Sequence, residues 1–414
     1  MYNAALFLFV IVCLPKWLWE ALRYQKHRKS FLQKFGFNMP EFHFTKPGPR
    51  IWVHSISVGE TKAAAPLISR LQEKYPDASI VVSIVTETGY DEAKRSISQA
   101  DKIFFFPIDF SWIIKKLMRR IRPDLLILVE GDFWFNLIDQ APRVALVNGK
   151  ISEKSLSRFR KVPFFSSKLF KKIELYCVQS NRFAERFARL GVDPNKIAIT
   201  GNLKFDQPVP HIDKNKWQEA LSLSPNDRVL TIGSTHEPEE ELLLDAISPL
   251  LKKHPALKIL IVPRHPERFA QVAALLEKKG IDFDRYSDPV KTPSRRVVLV
   301  DAMGVLNACY QLSELAIVGG SFIPTVGGHN IFEPAALGVP VLFGPSMYSQ
   351  KDLELLVTEA GAGLQVNLDN IAAVLDELLS TSSRSMHEAG LKLADEVHGA
   401  TSRTLEALSR LFQK

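Results

Sequence analysis

The sequence predicts an α/β fold: two doubly wound parallel sheets of Rossmann-like type facing each other across a cleft, preceded by an apolar N-terminal helix. Two observations predict the sheets. Short β-branched runs recur along the chain, and helix-length patterns separate them. Continuous apolar runs of this kind are typical of parallel strands covered on both faces. A Gly, Pro, Ser or Asn after each run, followed by a helix, is the pattern of βαβ units.

The predicted strands fall into two groups. The runs of the first half are Ile51–Val53, Ile80–Val85, Leu125–Val129, Val144–Val147 and the short Ile197–Thr200. The runs of the second half are Val229–Ile232, Lys258–Val262, Val297–Val300, Leu315–Val318 and Val339–Phe343. Each group has the size of one sheet with its helices, so we expect two domains.

The series of strands breaks between the two groups. Residues 205–226 contain three prolines among polar residues and no strand run, a composition typical of a linker. We therefore predict an N-terminal domain over residues 31–207, a linker over 208–226 and a C-terminal domain over 227–414. Ligands of such sheets bind beyond the carboxyl ends of the strands, so the strand-end loops should line the cleft.

Residues 1–30 have the composition of a membrane anchor. The apolar run Ala4–Leu14 precedes Trp17, Trp19 and a basic cluster, and the segment holds five basic residues and one acidic residue, or +4 of the chain's net charge of +8. The apolar run is shorter than the ~20 residues that span a bilayer. The basic residues of this segment follow the apolar run, whereas those of a signal peptide precede it. We expect attachment to an anionic membrane surface, either spanning it or lying in its interface. The alternative is a helix packed on the globular body.

Composition and spacing exclude several other classes of protein. The apolar content of 46% excludes a disordered chain, and the three cysteines lack CxxC spacing, which argues against a disulfide scaffold. No GxxxxGK[ST] motif is present, so a P-loop ATPase is disfavoured. Outside residues 1–30 basic and acidic residues are interleaved, so we expect no nucleic acid partner. Four histidines on separate predicted loops lack metal-ligand spacing, so we expect no zinc site. They are His54, His236, His265 and His329.

The loop after the first strand carries a candidate base. His54–Glu60 follows Ile51–Val53 directly, Gly59 permits a tight turn, and a helix is predicted over Thr61–Leu71. Glu60 should then lie in the first helical turn, where the helix dipole would keep it ionised. An ionised carboxylate there can accept a proton from a substrate hydroxyl. The alternative is that Glu60 only caps the helix.

Two further strand ends of the first half carry charged residues. Glu130 and Asp132 follow Leu125–Val129, where a pair of acids can hold or tune a neighbouring charge, although capping at the surface is equally compatible. Lys204 follows Ile197–Thr200. A lysine there could stabilise the charge that develops on a leaving phosphate, although an isolated lysine is more often simply solvated.

The strand-end loops of the second half indicate a phosphate site. They are Gly233–His236, Pro263–Arg268, Asp301–Val305 and Gly319–Pro334. The last loop contains four glycines and then Asn330 at a predicted helix start, which would present backbone N–H groups to a phosphate. Arg264 and Arg268 would add guanidinium groups that match phosphate oxygens. Glu333 could accept hydrogen bonds from ribose hydroxyls.

Together these motifs resemble the lipid A Kdo transferases. These are GT-B glycosyltransferases that move 3-deoxy-D-manno-octulosonic acid (Kdo) from CMP-Kdo onto a lipid A precursor. The likeness covers nearly the whole chain, from the apolar anchor through His54–Glu60, Gly201–Asp206, Gly233–His236, Pro263–Arg268 and Gly319–Pro345. The most specific segment is Gly327–Gly338, which keeps the glycines and the acid of the motif in order.

The resemblance implies roles for the candidate residues. Glu60 would be the general base that deprotonates the acceptor hydroxyl, and Glu130 and Lys204 would assist the transition state. CMP would be held by Ser234, Thr235, Arg264, His265, Met303, Gly304, Val305, Asn330, Ile331, Phe332 and Glu333. The resemblance also implies inversion at the anomeric carbon, no cofactor and no required metal ion. The catalytic body would lie on the cytoplasmic side of a bacterial inner membrane.

Two positions depart from the family pattern. Members usually read Glu-x-Glu-x-Trp-Pro-Asn where this chain has Glu130–Asn136, which leaves the role of Asp132 open. Members usually have an arginine where this chain has Lys150, which bears on acceptor contacts. Two other functions stay open: a GT-B enzyme that uses another nucleotide sugar, such as a UDP-sugar, and an inactive membrane-bound nucleotide-binding protein.

Overall fold

The computed structural model describes residues 2–23, 30–207, 209–292, 294–381 and 383–412. The chain divides into two units: unit 1 is Met1–Gln207 with Val397–Lys414, and unit 2 is Pro208–Glu396. Lys26, Arg28 and Lys29 of the expected basic flank and Pro208 of the expected linker lie outside the described residues.

Unit 1 is built on a seven-stranded sheet with the order β3-β2-β1-β4-β5-β6-β7. Its strands are β1 (Arg50–Ser55), β2 (Ser79–Ile84), β3 (Lys102–Phe105), β4 (Leu125–Val129), β5 (Val144–Gly149), β6 (Leu175–Val178) and β7 (Ile197–Ile199). Its first helices are α1 (Tyr2–Arg23), α2 (Phe31–Lys34), α3 (Val58–Lys74), α4 (Glu87–Ser96), α5 (Ser111–Ile121), α6 (Phe135–Gln140), α7 (Glu153–Arg160), α8 (Pro163–Lys172) and α9 (Asn181–Ala188). Neighbouring strands are parallel, with Ile51 of β1 opposite Ile80 of β2 and Leu125 of β4.

Unit 2 is built on a second seven-stranded sheet, with the order β10-β11-β9-β8-β12-β13-β14. Its strands are β8 (Arg228–Thr235), β9 (Leu257–Pro263), β10 (Phe283–Arg285), β11 (Val297–Leu299), β12 (Leu315–Val318), β13 (Val341–Phe343) and β14 (Gly363–Gln365). Its helices are α10 (Lys214–Ala220), α11 (Glu239–Lys253), α12 (Phe269–Lys278), α13 (Leu306–Gln311), α14 (Phe332–Ala336), α15 (Lys351–Glu359), α16 (Ile371–Ser380) and α17 (Arg384–Val397), whose last residue belongs to unit 1.

Both faces of each sheet are covered, which explains the uninterrupted apolar runs. In β1, Ile51 and Val53 pack into the core on one face of the sheet, whereas Trp52 between them packs into the core on the other face. In β9, Ile259 and Ile261 face one core of unit 2 and Leu260 faces the other. Successive side chains of a strand point to opposite faces, so most positions of these strands are apolar whichever face they meet.

The strand orders place two pairs of loops at topological switch points. In unit 1, β1 lies between β2 and β4, so the chain leaves β1 on one side of the sheet and β4 on the other. In unit 2, β8 lies in the same way between β9 and β12. Crevices for ligands form where neighbouring loops diverge in this manner. The loops after β1, β4, β8 and β12 are therefore the favoured places for a site.

Two expected domain boundaries were wrong. The last helix, α18 (Ala400–Phe412), belongs to unit 1 and not to the second domain, because Ala407 and Leu408 pack into the core that α3 covers. Asp206 fixes the start of this segment by accepting hydrogen bonds from Gly399 N at 2.8 Å and Thr401 N at 2.5 Å. The expected linker is also structured, since it contains α10 and the fully buried Leu221.

Helix α1 packs on unit 1 through its first residues and leaves much of its apolar surface exposed. The Tyr2 hydroxyl donates to Asp109 at 3.0 Å, and the Asn136 amide donates to Asn3 at 2.8 Å. Six large apolar side chains among the described residues of α1 are more than half exposed: Phe7, Leu8, Phe9, Ile11, Val12 and Trp19. Among the described residues, no helix has the length and apolar character needed to cross a membrane.

Candidate active site

Glu60 lies at the first turn of α3, at the end of β1. Ser57 is the N-cap residue and Glu60 is the third residue of the helix. One carboxylate oxygen of Glu60 accepts the Ile56 N–H at 2.5 Å and the other accepts the Ser57 hydroxyl at 3.3 Å. Glu60 therefore bonds the two residues that precede the helix, and the N-cap side chain makes no capping hydrogen bond. These contacts orient the carboxyl group without using all of its acceptor positions.

Burial decides the acidity of Glu60. It raises the pKa of this carboxyl group, the Ile56 N–H opposes the shift, and the negative charge of Glu130 adds to it. Loss of hydration therefore outweighs the favourable backbone contact and opposes the helix dipole, which was expected to keep the group ionised. A carboxyl group with a raised pKa is a stronger base than an exposed glutamate once it is ionised.

Glu130 is clamped between two lysines. It is buried at the end of β4 and has a left-handed backbone conformation with φ of 67°. Its carboxylate contacts Lys150 Nζ at 2.5 Å and Lys204 Nζ at 2.6 Å. Burial favours the neutral acid, but the two lysines outweigh it and lower the pKa of Glu130. Glu130 and Lys204 thus form an ion pair in the structure, and Lys150 contributes a second positive charge to it.

Asn148 joins this cluster to the loop that carries Lys204. Its amide nitrogen lies 3.4 Å from the Glu130 carboxylate, and its side-chain oxygen accepts the Leu203 N–H at 3.0 Å. Asn202 accepts the Lys204 N–H at 3.0 Å. The lysine is therefore held by its own backbone and not only by the salt bridge. The Cβ of a side chain at Gly59 would lie 3.9 Å from Lys204 Nζ, so Lys204 lies near the start of α3.

Asp132 belongs to the same group of charges. Burial raises its pKa to about 7, and the charges of Glu60 and Glu130 add to the shift while Lys150 opposes it. Lys150 had been singled out only as a departure from the family pattern, and its pairing with Glu130 was not predicted. Its position directly after β5, the neighbour of β4, was the available signal.

His54 is separate from this cluster of ionisable groups. It is fully buried, its Nδ1 lies 2.8 Å from the Ser83 hydroxyl, and burial lowers its pKa to about 3. We therefore assign it to the core of unit 1.

In unit 2 the Gly-rich loop is anchored to the start of α11. Glu239 is fully buried and accepts three backbone hydrogen bonds, from His236 N at 3.0 Å, Gly320 N at 2.6 Å and Phe322 N at 2.9 Å. Its carboxylate thereby ties the loop after β12 to the loop after β8. This anchor was not predicted, because nothing in the sequence distinguishes Glu239 from the two glutamates that follow it.

The predicted donor residues after β8 and β9 differ in exposure. Ser234 is buried with φ of 58°, and the Thr235 hydroxyl donates to Glu240 at 3.0 Å. Arg264 and His265 are exposed. Arg268, expected to bind phosphate, instead pairs with Glu237 at 2.7 Å and Glu240 at 3.1 Å, so its charge is already compensated.

The remaining donor residues lie on two loops. Met303 is exposed, Gly304 has φ of 84° and Val305 precedes α13. Asn330 caps α14 by accepting the Phe332 N–H at 3.1 Å, and its amide donates to Glu333 at 3.0 Å. Glu333 is exposed at the helix start. The Ile331 and Phe332 side chains are buried, so only their backbone could face a ligand.

Comparisons with known proteins agree on one family. Residues 29–207 match the family model described as 3-deoxy-D-manno-octulosonic-acid transferase (kdotransferase). A 3-deoxy-D-manno-octulosonic acid transferase from Chlamydophila psittaci is 35% identical over 99% of this chain and 96% of its own length. A relative of the same name from Haemophilus influenzae is 33% identical over 94% of this chain and 93% of its own length.

A comparison with solved structures supports the fold. UDP-GlcNAc 2-epimerase from Neisseria meningitidis aligns with a TM-score of 0.64 over 87% of this chain and 100% of its own length. At 16% identity this likeness shows a shared GT-B-like fold.

Proposed function

Because this chain belongs to the family of 3-deoxy-D-manno-octulosonic acid transferases, which are glycosyltransferases, we propose that it transfers Kdo from CMP-Kdo to the lipid A precursor lipid IVA. The observation that carries the mechanism is the charge cluster at the switch point of unit 1. There, a half-buried Glu60 with a raised pKa lies close enough to Glu130 to sense its charge, and Lys150 and Lys204 flank Glu130.

Glu60 acts as the general base. The acceptor hydroxyl attacks the anomeric carbon of Kdo, the bond from that carbon to the phosphate oxygen breaks, and CMP leaves with the electron pair. The hydroxyl proton passes to Glu60. Attack opposite to the leaving group inverts the anomeric centre in a single step, and no covalent intermediate on the enzyme is needed. Positioning of the hydroxyl and proton acceptance each lower the barrier.

Lys204 stabilises the negative charge that moves onto the departing phosphate. Glu130 carries one negative charge against two lysine charges, so the group of three keeps a net positive charge. Such a preoriented cation stabilises a developing anion without reorganising during the step. The step is proposed to need no metal ion, and equal rates with and without a chelator are the expected result.

The donor nucleotide is proposed to bind unit 2 at the switch point between β8 and β12. Support comes from exposed Arg264 and His265, and from the Asn330–Glu333 pair at the start of α14. Ser234, Thr235 and the Met303–Val305 turn are proposed to line the same site. The backbone of Ile331 and Phe332 contributes in place of their buried side chains.

Helix α1 is proposed to hold the enzyme at the cytoplasmic face of a bacterial inner membrane, where the lipid acceptor resides. Its exposed apolar side chains support attachment within the interface.

Replacement of Glu60 by glutamine tests the base. The carbonyl oxygen of the glutamine side chain can still accept the Ile56 N–H, so the start of α3 should persist while proton acceptance is lost. With CMP-Kdo and lipid IVA, followed by mass spectrometry of the lipid, E60Q should reduce turnover by roughly 10²–10⁴-fold. Its affinity for CMP should stay that of the unsubstituted enzyme.

Glu73→Gln is the matched control. Glu73 lies on the last turns of the same helix and pairs with Arg70 and Ser69 near the surface. E73Q should retain full turnover. Near-normal turnover of E60Q would reject Glu60 as the base, and product formed from UDP-sugars but not from CMP-Kdo would reject the proposed donor.

A further inference from the structure

Two histidines of unit 2 share one hydrogen bond in a way that the proposed reaction does not yet explain. His236 follows β8 and His329 lies on the Gly-rich loop after β12. Their Nε2 atoms are 2.7 Å apart, and their rings are stacked with centroids 5.0 Å apart and an angle of 11° between the planes. Both side chains are partly buried.

The contact restricts how many protons the pair can hold. At a separation of 2.7 Å one Nε2 must donate and the other must accept. The pair is therefore either neutral, with one N–H between the two rings, or singly charged, with an additional proton on an outer nitrogen. Two protonated rings would place two N–H groups against each other.

The charged groups around the pair are mostly cationic. His265 makes an edge contact with His236 at 5.2 Å between centroids, and Arg264 and Arg268 also act on His236. Glu240 is the acid that favours the charged form of His236, although it is already paired with Arg268. Arg264 and His265 act on His329. Glu239 lies nearby but bonds the backbone of His236 and the Gly-rich loop.

These surroundings keep the pair neutral near neutral pH. Burial lowers the pKa of His329 to about 4, and the neighbouring His236, Arg264 and His265 add to the shift. Burial and the adjacent cations also lower the pKa of His236. An anion bound against the same cations would cancel much of this repulsion and raise the proton affinity of the pair.

We propose that His236 and His329 form a proton-binding pair that takes up one proton when the phosphate of the donor nucleotide binds unit 2, so that nucleotide binding and protonation are coupled. The inference rests on the proposed function for the identity of the anion. The proton comes from solvent and returns to it when the nucleotide leaves. Near neutral pH the pair thus carries a positive charge only while the phosphate is bound. This charge helps to position the phosphate.

Thermodynamic coupling gives the pair a measurable signature. Between the low pKa of the free pair and its higher pKa in the complex, binding consumes protons, and affinity falls as pH rises. One fully coupled proton corresponds to roughly a tenfold loss of affinity per pH unit.

Calorimetry with cytidine 5′-phosphate methyl ester tests the proposal. This phosphodiester keeps a single negative charge across the pH range used, so any proton taken up belongs to the protein. Titrations at about pH 6 in buffers of different ionisation enthalpy should show uptake of roughly half a proton or more, and affinity should fall between about pH 5.5 and 7.5. Cytidine, which lacks the phosphate, should bind without proton uptake.

The double variant His236→Gln/His329→Gln removes both titrating rings and keeps amide groups that can bond each other. It should bind the ester without proton uptake and with little dependence on pH. His254→Gln is the matched control, because it removes a histidine of unit 2 that pairs with Asp376 at 2.8 Å and leaves the His236–His329 pair and the proposed donor residues unchanged, so uptake should persist. Unchanged uptake in the double variant, or an equal loss of uptake in H254Q, would overturn the proposal.

Histidine NMR on the unsubstituted protein gives a second test that does not depend on how the variants fold. With selectively labelled histidine, the ring signals of His236 and His329 should titrate at higher pH when the ester is bound. Bound ester with no such shift would overturn the coupling and leave the proposed donor site standing. Failure of the unsubstituted protein to bind the ester or CMP would overturn the proposed donor itself.

Discussion

At the scale of single residues, the half-buried Glu60 and the buried Glu130 are two neighbouring carboxyl groups with opposite pKa shifts. Burial dominates at Glu60 and raises its pKa, whereas Lys150 and Lys204 overcome burial at Glu130 and lower its pKa. Two carboxyl groups whose pKa values are shifted in opposite directions can serve different roles at one pH. Glu130 stays charged and holds the lysines, which agrees with the separate role as a base proposed for Glu60.

Glu130→Gln should shift the pH profile of turnover. Glu130 raises the pKa of Glu60, so its removal, with both lysines retained, should lower that pKa. Because Glu60 works ionised and activity is lost as pH falls through its pKa, the acidic limb of kcat/KM should move to lower pH. Maximal turnover should fall by about 10²-fold as Lys204 loses its partner.

The pH dependence of kcat/KM for the unsubstituted enzyme, E130Q and E174Q measures this effect. Glu174 pairs with Arg143 at 3.4 Å, away from Glu60, and serves as the control with an unchanged profile. An acidic limb that stays in place or moves to higher pH in E130Q would contradict the electrostatic coupling.

The sequence allowed some of these residues to be predicted but not their partners. Glu60, Glu130 and Lys204 follow apolar strand runs, and the ends of parallel strands meet at one edge of a sheet. The second cation, Lys150, also follows an apolar strand run, but its pairing with Glu130 depends on β5 lying next to β4, which only the order of the whole sheet decides. The His236–His329 contact joins residues 93 positions apart and leaves no local pattern.

At the scale of elements, the loop after β12 depends on one buried carboxylate. Glu239 at the start of α11 accepts three backbone N–H groups, two of them from the Gly-rich loop. Backbone donors buried without a partner are costly, so this contact fixes the loop more firmly than its glycines alone would allow.

Glu239→Gln should destabilise unit 2. The glutamine side chain has one acceptor oxygen and an NH₂ group that would face backbone N–H donors, so at least one donor loses its partner. The free energy of unfolding in urea should fall by about 1–3 kcal/mol. Glu241→Gln, two positions along the same helix and half-exposed, should change it by less than about 0.5 kcal/mol. Equal stability of E239Q and E241Q would show that the anchor is dispensable.

Most strands that the sequence revealed lie inside the sheets. The apolar runs at β1, β2, β4, β8, β9 and β12 are buried on both faces, whereas Ile197–Thr200 was predicted although β7 is an edge strand. Four strands were missed: Lys102–Phe105, Leu175–Val178, Phe283–Arg285 and Gly363–Gln365. Three of these are short edge strands with polar or glycine positions, and Leu175–Val178 is an inner strand. Such strands owe their pairing to the sheet and not to local pattern.

At the scale of the whole molecule, the proposed membrane attachment depends on the exposed apolar side chains of α1. Val12 is 77% exposed on this helix, and Val290 is 79% exposed in unit 2. Val12→Asp should lower binding to vesicles of anionic phospholipid by roughly tenfold or more, since burial of a valine contributes about 1.5 kcal/mol. Val290→Asp should not change it. Co-sedimentation at several lipid concentrations measures both, and equal loss in the two variants would reject α1 as the contact.

The division into two sheets could be predicted from the sequence, but the path of the chain between the units could not. The prolines near residue 208 mark the first passage correctly. The second passage, at residue 397, falls between two ordinary amphipathic helices, α17 and α18, and no change of composition marks it. Only the packing of Leu408 with the core of unit 1 reveals where α18 belongs.

This return of α18 sets an order of events during biosynthesis. All residues of unit 2 are translated before residue 397, whereas the core of unit 1 needs Ala407 and Leu408. Unit 1 is therefore the unit whose synthesis begins first and the unit whose core is completed last. Until α18 is synthesised, the apolar side chains of unit 1 that it covers have no partner on that side.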